Sequence, residues 1–367
     1  MNDVVNQIAG TGLIALDVLL RDENAAIYSA LGGSAGNVLA ILAYLGWSSF
    51  PIAHIGSDPA GEGLRKEFNS LGSNTRFLIS QDSATTPVIY QWPGNEEKTH
   101  RFSFACPLCG SKKRFSDYAC SHDLVNSVSE TVNALQVFYF DRITPLALEL
   151  AKIYRDRGAI IFFEPSEIRG NDEDIRNALA LTDILKYADD RISDLANFDL
   201  SNVTVEIQTL GARGLRFRAP SLAIEWIELP AIKTPYIADT AGAGDWCSAG
   251  LLYRLLLNNK VTASDIFSHN NLYASLRFGQ ALSALNCMYE GARGMMRGRS
   301  STYITRAAKA LSKGNPFDFS VSGVKSEQVR MQRYYKEVIS QRYSLNKSVP
   351  AQNLCCEPLR FINTGNL

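Results

Sequence analysis

The sequence predicts an α/β fold in which a central, mostly parallel sheet is flanked by helices, with a small β lid beside it. Short apolar runs alternate with helical stretches between residues 132 and 218, and this alternation is typical of parallel sheets. One segment departs from the rhythm. Residues 86–92 and 99–105 alternate apolar and polar side chains around Pro93-Gly94-Asn95, which predicts an antiparallel hairpin that we expect to form the lid.

The N-terminal segment predicts the first strand and the first helix of this fold. Residues 7–15 form an apolar run that we expect to be a buried strand ending near Asp17, and the polar residues 22–29 predict a loop. Leu31-Gly32-Gly33-Ser34 then predicts a glycine turn into a buried helix that carries Asn37 and ends at Gly46.

The composition limits the classes of function. Of the 367 residues, 46% are hydrophobic and 20% are charged, and the 37 basic residues balance the 37 acidic ones. This balance predicts no nucleic-acid or membrane partner. No apolar run reaches the roughly 20 residues that span a bilayer, and the seven cysteines fit a reducing cytoplasm better than a disulfide framework.

A glycine-rich stretch predicts an anion site. In Asp239-Thr240-Ala241-Gly242-Ala243-Gly244-Asp245, glycines lacking a Cβ precede a helix whose free N–H groups favour a phosphate. Asp245 would repel a phosphate unless it serves as a base that takes a proton from an attacking hydroxyl. Alternatively, Asp239 is a turn residue and Asp245 is only an acid at a helix start.

With these segments placed, the chain resembles the ribokinase-like (PfkB) carbohydrate kinases. Two blocks carry the resemblance, the first with Gly32-Gly33, Asn37, Gly46 and His54-Ile55-Gly56-Ser57-Asp58, the second with Asp239 to Asp245 and Gly250. Weaker matches are Phe162-Phe163-Glu164-Pro165-Ser166, Asp183-Ile184-Leu185-Lys186, Thr209-Leu210-Gly211 and the Gly291-Ala292 turn. The resemblance covers about residues 7–300.

The resemblance implies ATP-dependent phosphorylation of a hydroxyl with Mg²⁺, and it implies a role for each matching residue. Asp245 would be the general base, and Gly242, Ala243 and Gly244 would form the anion hole. The residues implied to bind substrate are Asp17, Gly33 and Asn37, and those implied to border the nucleotide are Thr209, Gly211 and Gly214. We also expect Lys186 at the nucleotide, and Arg101 in the lid could contact an acidic substrate. Structural alternatives remain: Asp17 ends a strand, Asn37 caps a helix, Gly211 and Gly214 belong to a hairpin, and Arg101 is a solvated lid residue.

One stretch departs from the family pattern. Many relatives have Asn or Ser followed by Glu just after the Asp-Ile-Leu-Lys segment, where these residues organise magnesium and phosphate. This chain has Tyr187-Ala188-Asp189-Asp190-Arg191, in which Asp189 or Asp190 could substitute for the acid.

The segment after the hairpin has cysteines at metal-binding spacing. Cys106 and Cys109 form a C-x-x-C pair, and with Cys120 and His122 they could close a tetrahedral zinc site. The alternative is three reduced thiols and a surface histidine.

The sequence therefore predicts a kinase domain over residues 1–315, with the lid hairpin and cysteine loop at about 86–122, and a C-terminal extension over 316–367. The expected function is a cytoplasmic, ATP-dependent sugar kinase. A nucleoside kinase on the same scaffold and a regulatory protein that binds sugar or nucleotide are the alternatives. An exposed strand edge in the lid could also support a homodimer.

Overall fold

Nine strands form the main sheet of the computed structural model, which describes residues 5–22, 25–92, 101–107, 109–113, 122–168, 170–192, 194–257 and 263–315. Seven consecutive strands pair with one another in parallel, and an antiparallel hairpin of β12 (Gly214–Ala219) and β13 (Ile224–Pro230) forms one edge. In spatial order from that edge the strands are β13 (Ile224–Pro230), β12 (Gly214–Ala219), β11 (Val205–Thr209), β10 (Ile184–Ala188), β9 (Ile160–Phe163), β8 (Val137–Phe140), β1 (Gln7–Thr11), β4 (Ser48–Gly56) and β5 (Leu78–Gln81).

Helices cover both faces of this sheet, as its apolar strands require. The helices in chain order are α1 (Ser34–Tyr44), α2 (Pro59–Ser70), α3 (His122–Thr131), α4 (Pro145–Asp156), α5 (Asp172–Leu181), α6 (Ala243–Leu255), α7 (Ala263–Ile266), α8 (His269–Asn286), α9 (Gly294–Gly298) and α10 (Ser301–Leu311). No helix in these ranges is long and apolar enough to cross a membrane.

Successive side chains of each strand point to opposite faces of the main sheet, so there are two apolar cores, one on each face. On one face, Tyr139 and Phe162 pack with α1, α6, α8 and α10. On the other face, Phe140 and Phe163 stack with ring centroids 4.5 Å apart and pack with α3, α4 and α5. This is the doubly covered parallel sheet that the sequence predicts.

A second sheet of four strands forms the lid, in the order β3 (Ala25–Gly32), β2 (Ala15–Asp22), β6 (Val88–Trp92) and β7 (Arg101–Ser103). The predicted hairpin is confirmed, because β6 and β7 pair antiparallel with Tyr90 opposite Ser103. The lid is larger than predicted, since β2 and β3 pair with each other and β2 pairs parallel with β6.

Two expectations for the N-terminal segment were wrong. The apolar run is not one strand, because the chain turns at Gly12 (φ 131°) and leaves the main sheet. Leu13 and Ile14 in the turn are buried, so the apolar pattern runs on through the turn. Asp17 therefore lies inside β2 and not at a strand end, and most of the expected loop at 22–29 belongs to strands β2 and β3.

The predicted extension, 316–367, lies outside the described residues. The proposed division at residue 315 therefore stays a prediction.

Candidate active site

The turn before α6 is held by two buried groups. The carboxylate of Asp239, which is fully buried, accepts hydrogen bonds from the N–H of Ala241 (3.1 Å) and the N–H of Gly291 (2.9 Å). The side-chain amide of Asn286 donates to the carbonyls of Ala241 (3.1 Å) and Ala292 (3.2 Å). Asp239 is thus a turn residue that ties the start of α6 to the turn that follows α8.

Gly242, Ala243 and Gly244, which we call the glycine loop, open α6. Gly242 has φ 71° and lies so close to Ala292 that a Cβ would come within 2.3 Å of its carbonyl oxygen. The N–H groups of Gly242 and Gly244 have no hydrogen-bond partner within the described part of the chain, whereas the N–H of Ala243 donates to the Thr240 carbonyl (3.2 Å). Two of the three predicted donors are therefore open at a helix N-terminus, where an anion is favoured.

Asp245 lies in the first turn of α6 and contacts the first helix of the fold. Its Oδ2 accepts a hydrogen bond from Asn37 Nδ2 at 2.7 Å, across 208 residues of sequence. Burial, and then the charge of Glu164, raise the pKa of Asp245 well above its ordinary value, and the bond from Asn37 opposes this rise. A carboxylate with a raised pKa is the chemistry that a general base requires.

A buried ion pair lies behind the glycine loop. Lys186 Nζ contacts Glu164 Oε1 and also donates to the carbonyl of Gly244 at 3.2 Å. Burial, the largest single effect, lowers the pKa of Lys186, but the charge and hydrogen bond of Glu164 together with the nearby Cys247 and Asp245 outweigh it, and the pKa is raised. The second oxygen of Glu164 accepts from Tyr139 Oη (3.1 Å) and Ser248 Oγ (2.5 Å). Lys186 therefore keeps its charge and, paired with Glu164, fixes the back of the loop.

Arg293, in the turn after α8, is 5% exposed and contacts three elements. Its Nε donates to Asn37 Oδ1 at 3.1 Å, and its Nη2 donates to the Leu31 carbonyl and pairs with Glu67 Oε1 at 2.7 Å. Glu67 Oε2 in turn accepts from the N–H of Leu31 at 2.6 Å. These contacts connect α2, the last part of β3, α1 and the turn after α8.

A cleft lies between the lid sheet and the turn after α8. Its lining residues are Asp17, Leu19, Ala30, Leu31, Gln91, Gly291, Ala292, Arg293 and Arg297. Asp17 is 7% exposed and touches the end of β3 closely, since a Cβ on Gly32 would lie 1.9 Å from its Cγ. Gly33 caps α1 with φ 80°, where a Cβ would lie 2.3 Å from the Leu13 carbonyl oxygen. Four of the cleft's nine lining residues, Asp17, Gln91, Arg293 and Arg297, have side chains that can form hydrogen bonds with hydroxyl groups.

The arrangement is one loop with open N–H donors, one carboxylate beside it and one cleft under a lid. A protein-family model, the pfkB family carbohydrate kinase, matches residues 20–299 of the chain. The chain belongs to the pfkB family of carbohydrate kinases. Among the curated relatives of this pfkB kinase is a sugar kinase of Pyrococcus horikoshii, 22% identical over an alignment 298 residues long that covers 75% of this chain and 91% of the relative.

Solved structures of other kinases share the pfkB fold of this chain. The ribokinase of Giardia lamblia matches with a TM-score of 0.66 at 17% identity, covering 85% of this chain and 100% of the ribokinase. The fructokinase of Xylella fastidiosa with bound ATP matches with a TM-score of 0.63 at 18% identity, covering 84% and 98%. The aminoimidazole riboside kinase of Salmonella enterica, complexed with aminoimidazole riboside and an ATP analog, matches with a TM-score of 0.61 at 20% identity, covering 83% and 100%.

The residues expected to border the nucleotide in this pfkB kinase lie at two depths. Thr209 ends β11, and the exposed Gly211 and the strand-start Gly214 follow it at the surface. A Cβ on Gly214 would lie 2.2 Å from the Leu229 carbonyl oxygen, so a hairpin role accounts for this glycine. Lys186 is only 2% exposed and lies behind the glycine loop. The structure therefore gives Lys186 a contact with the loop backbone instead of an open surface.

The stretch after β10 that departs from the family pattern makes structural contacts. Asp189 pairs with Arg213 at 2.6 Å, and its N–H donates to the Thr209 carbonyl. Arg191 is exposed. Asp189 thus links the end of β10 to the 3₁₀ turn Gly211–Arg213.

Arg101 lies on the exposed surface of the lid. Its guanidinium lies over the ring of Trp92, 4.0 Å from the centroid. Tyr90 is 1% exposed within the core, and Phe102 is 52% exposed on the edge strand β7. This placement agrees with the alternative that Arg101 is a lid residue. A dimer through this edge stays a prediction.

The zinc prediction finds little support. In the ranges that the structure describes, no group of three or more His, Cys, Asp or Glu side chains could hold a metal ion. Cys106 is buried, Cys109 is exposed, and His122 lies 3.3 Å from Glu149. Cys120 lies outside the described residues.

Sequence reasoning missed Arg293 and Glu67 and gave no role to Glu164. Glu164 had a signal, because it directly follows the buried strand β9 at the sheet edge where Asp141 follows β8. Arg293 follows the Gly291-Ala292 turn that the sequence did single out. Glu67 lies in the last turn of an amphipathic helix, where no pattern distinguishes it from a surface acid.

Proposed function

We propose that this protein transfers the γ-phosphoryl group of ATP to a hydroxyl of a sugar or a sugar-like small molecule. The observation that carries the proposal is the place of Asp245, a carboxylate with a raised pKa in the first turn of α6, beside the open N–H groups of Gly242 and Gly244. ATP is also the ligand of the solved fructokinase that shares this fold. These features support a base and an anion hole at one helix start.

In the proposed reaction Asp245 takes the proton of the substrate hydroxyl as its oxygen attacks the γ-phosphate. The N–H groups of Gly242 and Gly244 stabilise the charge that develops on the phosphoryl oxygens, so catalysis rests on positioning and electrostatics. Magnesium, held through phosphate oxygens and water, would supply further charge neutralisation.

Asp17 in the cleft and the second amide hydrogen of Asn37 are the proposed partners of substrate hydroxyls. A buried polar group that loses its partner is costly, so these two side chains favour substrates with matching hydroxyls. Thr209 and Gly211, at the carboxyl end of β11, are proposed to border the nucleotide.

The test is ATP turnover against a panel of sugars, sugar acids and nucleosides. We expect one class to give turnover that Asp245→Asn reduces by at least about a thousandfold, since the variant keeps the shape of the base but cannot accept the proton. Asp199→Asn is the matched control and should keep full activity. Asp199 is an exposed aspartate whose carboxylate accepts a hydrogen bond from the N–H of Ser201.

Turnover that survives Asp245→Asn would overturn the assignment of the base. ATP binding without turnover of any panel member would favour the regulatory alternative.

A further inference from the structure

The side-chain amide of Asn37 has a fixed orientation, and this orientation depends on Arg293. An Asn amide presents an oxygen acceptor on one side and two N–H donors on the other. A guanidinium has donors only, so Arg293 Nε, 3.1 Å from Oδ1, can contact only the oxygen side. The N–H side then faces Asp245 Oδ2 at 2.7 Å.

Arg293 is itself held in one position. It is 5% exposed, and its Nη2 contacts both Glu67 Oε1 and the Leu31 carbonyl. Glu67 is fixed by the N–H of Leu31, which donates to its other oxygen at 2.6 Å. The planar fork of a guanidinium suits three such contacts at once, which an ammonium group cannot match.

We propose that Arg293, anchored by Glu67, is a positioning residue that orients the Asn37 amide so that it keeps the Asp245 carboxylate ionised for catalysis. The proposal rests on the proposed role of Asp245 as base. Arg293 touches neither the carboxylate nor, in this proposal, the reacting atoms. It acts through one intermediate side chain.

The groups that face Asp245 make this orientation consequential. Glu164 after β9 and Asp141 after β8 are acids whose charges raise the pKa of Asp245, and Lys186 on β10 lowers it. Tyr139 on β8 faces the same cluster, and burial with the nearby acids raises its pKa, so it stays neutral. The Asn37 hydrogen bond is therefore one of two interactions that favour the ionised form of Asp245, whereas burial and two negative charges oppose ionisation. A flipped amide would place an oxygen against the carboxylate and add repulsion.

The experiment follows the Asn37 side-chain amide by NMR in protein labelled with ¹⁵N-asparagine. The peak is assigned by its loss in Asn37→Ala, and its shift against pH reports the ionisation of Asp245. Asp245→Asn should abolish the transition. In Arg293→Met we expect the midpoint to rise by about one pH unit, a tenfold change in the ionisation constant. Arg293→Lys, which keeps a donor and the charge, should give a smaller rise.

The acid limb of the pH profile of kcat/KM should move by the same amount in Arg293→Met. Arg155→Met is the matched control, since Arg155 likewise pairs with a carboxylate, that of Asp183, and donates to a carbonyl on another helix, that of Leu181. It should leave both midpoints unchanged.

An unchanged midpoint in Arg293→Met, with only a lower melting temperature, would overturn the proposal and leave Arg293 a structural residue. The NMR measurement needs no turnover. If Asp245→Asn keeps full activity while the Arg293→Met midpoint still rises, the orienting contact stands and the role of Asp245 as base fails.

Discussion

Lys186 donates a hydrogen bond to the backbone carbonyl of Gly244 at 3.2 Å, while the same ammonium group pairs with Glu164. A strand of the main sheet thus holds the glycine loop from behind. The carbonyl that accepts from Lys186 belongs to Gly244, whose N–H has no hydrogen-bond partner among the described residues. The position of a proposed anion-binding donor is therefore coupled to a buried ion pair.

Removal of this lysine should cost both stability and activity. In Lys186→Met the carboxylate of Glu164 stays buried without its cation, and we expect the free energy of unfolding to fall by about 3–5 kcal/mol. Glu164→Gln in the same chain removes the unpaired charge, so the double variant should recover much of that loss. Urea unfolding of Lys186→Met, of Glu164→Gln and of the double variant measures this coupling. Losses that simply add in the double variant would show that the two side chains are not coupled.

Substitution of Gly242 separates backbone strain from collision. Gly242 (φ 71°) and Gly158 (φ 82°) share the left-handed conformation, but only Gly242 has an atom in the way, the Ala292 carbonyl oxygen, 2.3 Å from the position that a Cβ would take. Gly158→Ala should cost about 1–2 kcal/mol, the usual penalty of that conformation, and keep activity. Gly242→Ala should cost more and abolish turnover. Equal losses of stability, with activity kept, would contradict the close contact of the two turns.

The raised pKa of Asp245 has a consequence for stability that opposes its use in catalysis. In the folded protein the carboxyl keeps its proton at pH values where the unfolded chain has lost it. The unfolded state then binds fewer protons, so the free energy of unfolding falls as pH rises from about 4 through the raised pKa.

We therefore expect Asp245→Asn to melt at a higher temperature than the parent protein at pH 8. Near pH 3 the carboxyl is mostly protonated in both states, and the two melting temperatures should converge. Calorimetry across this range, with Asp199→Asn as control, checks the sign. A parent protein that is more stable than Asp245→Asn at pH 8 would show that the pKa of Asp245 is not raised.

The parallel sheet could be predicted because its strands are buried on both faces and read as uninterrupted apolar runs. The lid could be predicted only in part. Strand β3 (Ala25–Gly32) contains three alanines and a glycine, which have weak strand propensity, so pairing with β2 decides its conformation. The turn at Gly12 could not be found because the buried residues after it prolong the apolar pattern.

The glycine loop could be predicted because its chemistry is local: glycines, a helix start and an acid within seven residues. The residues around it could not. Arg293 and Glu67 meet across 226 residues, and neither helix nor turn carries a periodic signal for that contact. The sequence predicted that Lys186 borders the nucleotide, but its depth behind the loop depends on how β10 packs against α6.

The segment that leaves the main sheet after β1 and forms β2 and β3 begins and ends at adjacent points of the fold. The Leu13 carbonyl, just after the chain leaves the main sheet, accepts a hydrogen bond from the N–H of Gly36 at 3.2 Å, just after the chain returns. Strands β2 and β3 are thus an insertion whose entry and exit are adjacent, a topology that tolerates changes of length. A change in the length of β2 and β3 therefore leaves the strand order of the main sheet and the helix that carries Asn37 undisturbed.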